Sequence, residues 1–381
     1  MKILVLGAGM MGRAIAYDLS KYSNFETITI SDKSKKNIKI AEKFLENKKI
    51  NYNILNLNKK DEITKNFKIN DIVISAVPYK YNYILAKTAI DTKTHFIDLG
   101  GNNTIVDKEK KLHEKAKKAK ITIIPDCGLA PGLTSILTKK ITEKMDQIDY
   151  IKIRVGGLPV RPKPPLDYQI VFSPYGLLNE YIEDALILKN KKIIKKKSMT
   201  EIEQIKFPKP YENMEAFLTS GGCSTLPYTY KNKIKYLDYK TIRYPGHCEK
   251  FKTLIDLGLS KNKEIKIGKQ KIIPREILVN LLLKKLPKNQ EDVVLLKILS
   301  KGKKGSKTIH IDYTMIDYFD KEKNITSMMR TTGYPVSITA QMIEKKLIKK
   351  PGVYCSEEII PTKPFIKELE KRKIRFQEEI Y

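Results

Sequence analysis

The 381-residue sequence predicts an α/β protein, a doubly wound parallel sheet interrupted by an inserted α+β domain. Three observations carry that reading. Lys2–Leu6 is a strand-length run, apolar from Ile3, and Gly7-Ala8-Gly9-Met10-Met11-Gly12 follows it at once, with Ile15, Leu19 and Tyr22 then recurring at helical spacing. From there to residue 124 short apolar runs alternate with amphipathic stretches, as a parallel sheet with crossover helices requires. Near residue 150 the alternation gives way to longer strands and mixed elements.

Each part of the opening stretch has a physical job. The first glycine permits a tight strand-to-helix turn, the second lets backbone amides approach a pyrophosphate, and the third lets the helix pack on the strand. The helix N-terminus adds free donors and the positive end of a dipole. Thr27–Ile30 reads as a second strand, and Asp32 stands at its end, twenty residues beyond Gly12. In this strand–helix–strand context GxGxxG is the Rossmann fingerprint; the competing reading is a glycine-rich turn with no ligand. Asp32 accepts from a ribose 2′-hydroxyl and repels a 2′-phosphate, which favours NAD. Lys33, Lys35 and Lys36 lie just beyond and soften that repulsion, so NADP stays possible.

The pattern continues in order. Residues 35–47 suit a helix with Ile38, Ala41, Phe44 and Leu45 on one side, 50–57 a strand and 61–67 a short helix. Asp71–Pro78 is a strand ending in a turn, 80–91 a helix, and His95–Gly100 a fifth strand. Residues 107–119 read as a Lys-rich helix and Ile121–Ile124 as a sixth strand. Ligands of such sheets bind outside the carboxyl ends of the strands. That rule selects Gly7, Gly9, Met10, Met11, Gly12, Asp32, Ala76, Val77, Pro78, Gly100 and Asn102 as cofactor contacts, and Asp126–Gly132 as the loop where substrate meets the nicotinamide.

Residues 1–130 therefore form the expected dinucleotide-binding domain and 131–328 the substrate and dimerisation domain. In the second region 150–156, 168–172 and Tyr236–Tyr244 read as strands, with helices at Phe251–Leu257 and 275–285. Residues 292–300 and 307–319 read as a hairpin linked by Lys301–Gly305. From Thr331 the chain turns helical (Val336–Leu347), and 364–380 mixes helix and strand signals.

Bulk composition narrows the function classes. At 41% hydrophobic the chain builds real cores, and it has no apolar run of membrane-spanning length. The opening strand is unlike a signal segment, so a cytoplasmic protein is expected. Cys127, Cys223, Cys248 and Cys355 are scattered, so no metal site or disulfide framework is expected. The net charge of +30 comes mostly from Lys, with eight Arg, and is spread over helix faces and the Lys189–Lys197 run. No stacking aromatics accompany it, so it reads as a compositional habit, and no nucleic acid or membrane partner is expected.

Two stretches bear chemistry. In Pro125–Gly132, Asp126 is a candidate base or ammonium partner, with a helix-cap role as the alternative. Cys127 is a candidate substrate contact, though a small packing residue is the simpler reading. In Tyr239–His247, Arg243 offers a fork for a carboxylate and His247 a proton-exchanging imidazole, with Tyr244 between them. A structural ion pair for Arg243 and a satisfied core histidine are the alternatives. Tyr168–Tyr181 contributes Tyr168 and Ser173, and also holds Asn179 and Glu180; these residues line a pocket or cap a helix.

These motifs give the chain a resemblance to the saccharopine dehydrogenase-related family. The pieces are GAGMMG at 7–12, SAVP at 75–78, DLGGN at 98–102, DCGLAPG at 126–132 and GGLPVRPKPPLDYQIVFSPYGLLNEY at 156–181. KTIRYPGH at 240–247 and RTTGYPVSITAQMIEKKLIKKPGV at 330–353 complete the set. The resemblance implies a C-terminal segment, 329–381, that returns to the Rossmann domain, and a homodimer or higher homo-oligomer. Saccharopine-forming relatives carry GLDPG where this chain has Gly128-Leu129-Ala130-Pro131-Gly132, and a cysteine where it has Val155. Those two residues handle protons in such relatives, so their absence points toward the lysine 6-dehydrogenase branch. Tyr175 departs from the acidic residue of that branch's FSxEG.

The expected activity is NAD-dependent oxidative deamination of the terminal amine of L-lysine, with Asp126 or His247 as base and Arg243 on the α-carboxylate. The alternative is NADPH-dependent reductive condensation of an amine with an aldehyde or keto acid. A third class, a nucleotide-sensing or nucleic-acid-associated protein without turnover, rests on the basic charge alone.

Overall fold

The computed structural model describes every residue except Lys48 and Asn289. The chain divides into two compact units, Met1–Glu143 with Met329–Arg375, and Lys144–Met328 with Phe376–Tyr381. No helix among the described residues is long and apolar enough to cross a membrane.

The first unit is built on β1 (Lys2–Leu6), β2 (Thr27–Asp32), β3 (Ile50–Ile54), β4 (Ile72–Ser75), β5 (His95–Asp98) and β6 (Thr122–Ile124). They pair in the order β6-β5-β4-β1-β2-β3, and the short strand Gly352–Val353 adds to β6. All the pairings are parallel. A sheet covered on both faces needs strands that are apolar throughout rather than alternating. Ile3–Leu6 and Ile72–Ser75 meet that demand, being buried at every position. The strand order reverses between β1 and β4, the switch point at which such sheets open a crevice for ligand.

Two expectations for this unit are corrected. The helix read over 107–119 is two helices, Asn103–Lys110 and His113–Lys118. The break lets Leu112 turn into the core, where it packs with Leu85, Phe96 and Ile121. The last helix of the pattern does not begin at Val336 but at Ser327, and it runs to Glu344 with Pro335 inside it. Proline marks a helix start in sequence because it lacks a donor.

The second unit is a mixed sheet. Its strands are β7 (Gln147–Pro159), β8 (Ala185–Lys189), β9 (Lys192–Lys196), β10 (Glu203–Ile205), β11 (Met214–Leu218) and β12 (Ile234–Arg243). After the small hairpin of β13 (Ile265–Ile267) and β14 (Gln270–Ile272) come β15 (Asp292–Lys304) and β16 (Lys307–Tyr318). The main order is β10-β11-β12-β7-β15-β16, closed by Gln377–Ile380. β12 and β7 run parallel and the other neighbours antiparallel. The Lys189–Lys197 run is the β8–β9 hairpin. Residues 168–172 are not a strand; Ile170 makes one isolated bridge to Lys288. The segment instead sends Tyr168 and Val171 into a core with Leu177, Tyr181, Phe217 and Phe251. The β15–β16 register continues to Lys304↔Lys307, so the linking turn is shorter than the one read from its lysines and glycines.

Candidate functional site

The dinucleotide end of the first unit is shaped by close approaches. Gly7 has φ +99° and its amide donates to Ser31 O at 2.7 Å. A Cβ there would lie 2.6 Å from Ala76 O, and one on Gly12 would lie 1.7 Å from Gly7 O. Gly9 caps the helix Met10–Tyr22, and nothing stands within 4 Å of where its Cβ would be. This leaves the helix N-terminus open to a phosphate, with Met10 and Met11 half-buried behind it. Asp32 is half-buried and braces the loop: Oδ2 accepts from Ala8 N (2.9 Å) and Asn37 Nδ2 (3.2 Å), and Oδ1 from Ser34 N (2.8 Å). Ala76, Val77 and Pro78 follow β4, beside β1. Gly100 has φ +70°, and Asn102 caps the helix Asn103–Lys110 through Ile105 N at 3.2 Å.

At the ends of β5 and β6 lies a group of acids. Asp98 Oδ1 accepts from Gly100 N at 2.6 Å and Asp126 N at 3.4 Å. A Cβ on Gly100 would lie 1.5 Å from Asp126 Oδ1, so only glycine admits the Asp126 carboxyl here. Asp126 itself sits at φ +56° and is buried. Glu109 is fully buried, and burial together with the charges of Asp98 and Asp126 pushes its carboxyl far up. Asp98 is also raised, to about 6, by burial first. Sequence reading missed Glu109, because it lies among lysines on what looked like a solvated helix. Cys127 is buried, contacts Thr339 Oγ1 at 3.2 Å, and burial pushes its thiol up to about 12. The geometry makes it a packing residue rather than the substrate contact read from sequence.

In the second unit one chain of hydrogen bonds organises the other candidates. Arg243, at the end of β12, donates through Nε to Tyr181 OH (2.8 Å) and through Nη1 to Ile242 O (2.8 Å). Its guanidinium lies 4.8 Å from the Tyr168 ring centroid and 5.8 Å from that of Tyr181. Tyr181 OH meets His247 Nε2 at 3.0 Å, and His247 Nδ1 meets Leu166 O at 2.8 Å. The carbonyl fixes the tautomer: Nδ1 donates and Nε2 accepts. Burial, then Arg243, lowers His247 to about 3. The imidazole is neutral and both nitrogens are engaged, so the geometry opposes the proton-exchange role read from sequence and makes His247 a positioning residue. Arg243 Nη2 has no hydrogen bond among the described residues. Tyr244 OH donates to Pro159 O at 2.8 Å. Ser173 caps the helix Pro174–Ile182 through Gly176 N, one of the two roles read for it from sequence. Among the described residues no cluster of His, Cys, Asp or Glu is arranged to hold a metal.

A doubly wound dinucleotide-binding sheet with buried acids at its strand ends is the architecture of a nicotinamide-dependent oxidoreductase. Residues 3–124 match the saccharopine dehydrogenase NADP binding domain and residues 128–374 the saccharopine dehydrogenase C-terminal domain. The chain belongs to the saccharopine dehydrogenase family. It is 22% identical to the Saccharomyces cerevisiae saccharopine dehydrogenase [NADP(+), L-glutamate-forming] over 449 residues, covering 97% of each chain. The apo structure of the L-Glu-forming yeast enzyme superposes with a TM-score of 0.81 over 100% of this chain and 99% of that one, at 22% identity. The rat mitochondrial alpha-aminoadipic semialdehyde synthase is 26% identical over 276 residues, which are 68% of this chain and 28% of that protein. The chain thus spans less than a third of the length of the mammalian relatives it matches.

Proposed function

We propose that the chain is a saccharopine dehydrogenase-type enzyme, interconverting a secondary amine built on an amino acid with an amine and an aldehyde or keto acid. The observation that carries this is Arg243: a buried guanidinium, oriented by Tyr181 and faced by Tyr168, with Nη2 uncommitted in a family that includes the yeast saccharopine dehydrogenase. The uncommitted Nη2 offers a carboxylate a charge-assisted hydrogen bond from an oriented cation. The unit Lys144–Met328 is read as the substrate domain on the same ground.

In the oxidative direction the amine nitrogen, with a free pKa near 10, must first lose its proton. Asp126 is the assigned acceptor, with the buried carboxyls of Asp98 and Glu109 as its neighbours. A bound nicotinamide supplies the hydride acceptor. The resulting carbon–nitrogen double bond takes up water and separates into amine and carbonyl. Gly9 and the open helix end are the residues that would hold the pyrophosphate, and Asp32 the adenosine ribose. The family model is an NADP binding domain; Asp32 supports NAD in this reading, because a carboxylate opposes a 2′-phosphate. A homodimer is the proposed assembly.

Oxidative deamination of L-lysine is the second reading. Ala130 and Val155 favour it, standing where saccharopine-forming relatives carry acid and thiol. Both readings share the hydride step and differ in whether the nitrogen carries a second carbon. Reduced-nicotinamide formation with saccharopine, and none with lysine, is the expected result. Turnover of lysine alone selects the second reading, and no turnover of either with NAD or NADP sinks both.

A further inference from the structure

We propose that Glu180 and Arg243 together bind the α-amino-acid head of the substrate, Arg243 taking its carboxylate and Glu180 its ammonium. This rests on the reading that Arg243 meets a carboxylate, and adds a residue that decides which carboxylates are accepted.

Glu180 directly precedes Tyr181 on the helix Pro174–Ile182, so the side chain that orients Arg243 and the acid beside it come from one rigid element. The end of that helix is tied down: Ser220 N donates to Glu180 O at 2.9 Å and Ser220 Oγ to Asn179 O at 3.3 Å. The Glu180 side chain is half-buried, yet forms no hydrogen bond or ion pair among the described residues. Its charge acts on Arg243, Tyr168, Tyr181 and Tyr239 alike, so it belongs to the same neighbourhood. Tyr181 and Ile242 O hold the guanidinium in place, and among the described residues no ion pair joins it to Glu180. A zwitterion carrying carboxylate and ammonium on one carbon matches that open pair. The adjoining loop also leaves room, since nothing lies within 4 Å of a Cβ placed on Gly221. Burial holds the Glu180 carboxyl up at about 7, against the pull of Arg243 and with a push from Glu183. A ligand ammonium would restore the solvation this carboxylate has lost.

The test is calorimetric binding to the full chain with NADH present. The probes are L-lysine, 6-aminohexanoate, which lacks the α-ammonium, and cadaverine, which lacks the carboxylate; L-glutamate and glutarate form a second pair. The wild type should bind at least one amino acid about tenfold or more tighter than its des-amino partner. Glu180→Gln should abolish that preference while leaving affinity for the des-amino compound unchanged, a pattern that loss of folding would not give. The preference should also fade as pH falls below 7 and Glu180 takes up a proton, Arg243, Tyr168, Tyr181 and Tyr239 keeping their charge states, while any proton taken up by Glu183 only removes its push on Glu180. Equal binding of amino acid and des-amino partner, or a preference that survives in Glu180→Gln, overturns the proposal alone. Cadaverine binding as tightly as lysine, with glutarate and glutamate not bound, overturns the Arg243 reading, and the proposal falls with it.

Discussion

His247 is protonated with difficulty because burial denies the imidazolium its water, and because Arg243 is already a cation beside it. Its folded value lies below its unfolded one, so the unfolded chain binds more protons between about pH 3 and pH 6.5. The stability it contributes is therefore full above that window and lost as pH falls through it. His247→Phe keeps the ring but breaks the bonds to Tyr181 and Leu166, and should cost about 1–3 kcal/mol in urea unfolding at pH 7. It should also flatten the acid limb of the stability profile. Loosening Tyr181 frees Arg243 to swing, so KM should rise more than kcat falls. A variant that lowers kcat tenfold at unchanged KM would return His247 to the chemistry. Asp32 gives a second test at this scale. Asp32→Asn keeps an acceptor for Ala8 N or Ser34 N but removes the charge that opposes a 2′-phosphate. Fluorescence titration should show NADP binding strengthened about tenfold relative to NAD. An unchanged ratio would mean that cofactor choice lies elsewhere, with Lys33, Lys35 and Lys36 the next residues to vary.

Among the elements, the helix Met10–Tyr22 does most to place the cofactor, and it is held from behind as well as from the sheet. Asp18 on its inner face accepts from Arg372 Nε (2.6 Å) and Nη2 (3.0 Å) and from Ser337 Oγ (2.7 Å). Asp18 and Arg372 are fully buried side chains. Asp18, Ser337 and Arg372, all within one unit, join the first helix of the chain to the helix Ser327–Glu344 and to the C-terminal end of the helix Thr362–Lys371. Removing one partner leaves a buried charge alone, so Arg372→Ala should cost about 3–5 kcal/mol. Arg372→Met paired with Asp18→Leu should restore much of it; a double variant no better than the single would show that the contact orders the helices by more than charge. That coupling was invisible in the sequence, where Asp18 and Arg372 are two charges among many. The strands and turns around the glycines were legible because each is set by local rules: an apolar run, a glycine with positive φ, an acid at the next strand end. The Tyr181–His247–Leu166 relay was not, since nothing in residue type says that a histidine's two nitrogens are already spent. Residues 168–172 failed for the same reason; a strand-like alternation of aromatic and apolar side chains serves a core cluster equally well when no neighbour offers an edge.

For the whole molecule, the dominant fact is an excess of basic over acidic residues that leaves a charge of +30. Some of the acids that exist are buried and neutral or already paired, as Glu109 and Asp18 are, so they do little to offset the surface lysines. Pairs such as Lys252–Asp256, at 2.8 Å and well exposed, contribute little each. Self-repulsion of the folded surface should therefore outweigh surface attraction at low ionic strength. Screening shortens from about 30 Å at 0.01 M salt to about 8 Å at 0.15 M. The expected outcome is a Tm several degrees higher in 0.15 M than in 0.01 M sodium chloride at pH 7, by scanning calorimetry. A Tm that stays level or falls would mean the exposed ion pairs form a network stronger than the repulsion. Retained binding to plain duplex DNA at 0.15 M salt would instead identify the lysines as a functional surface.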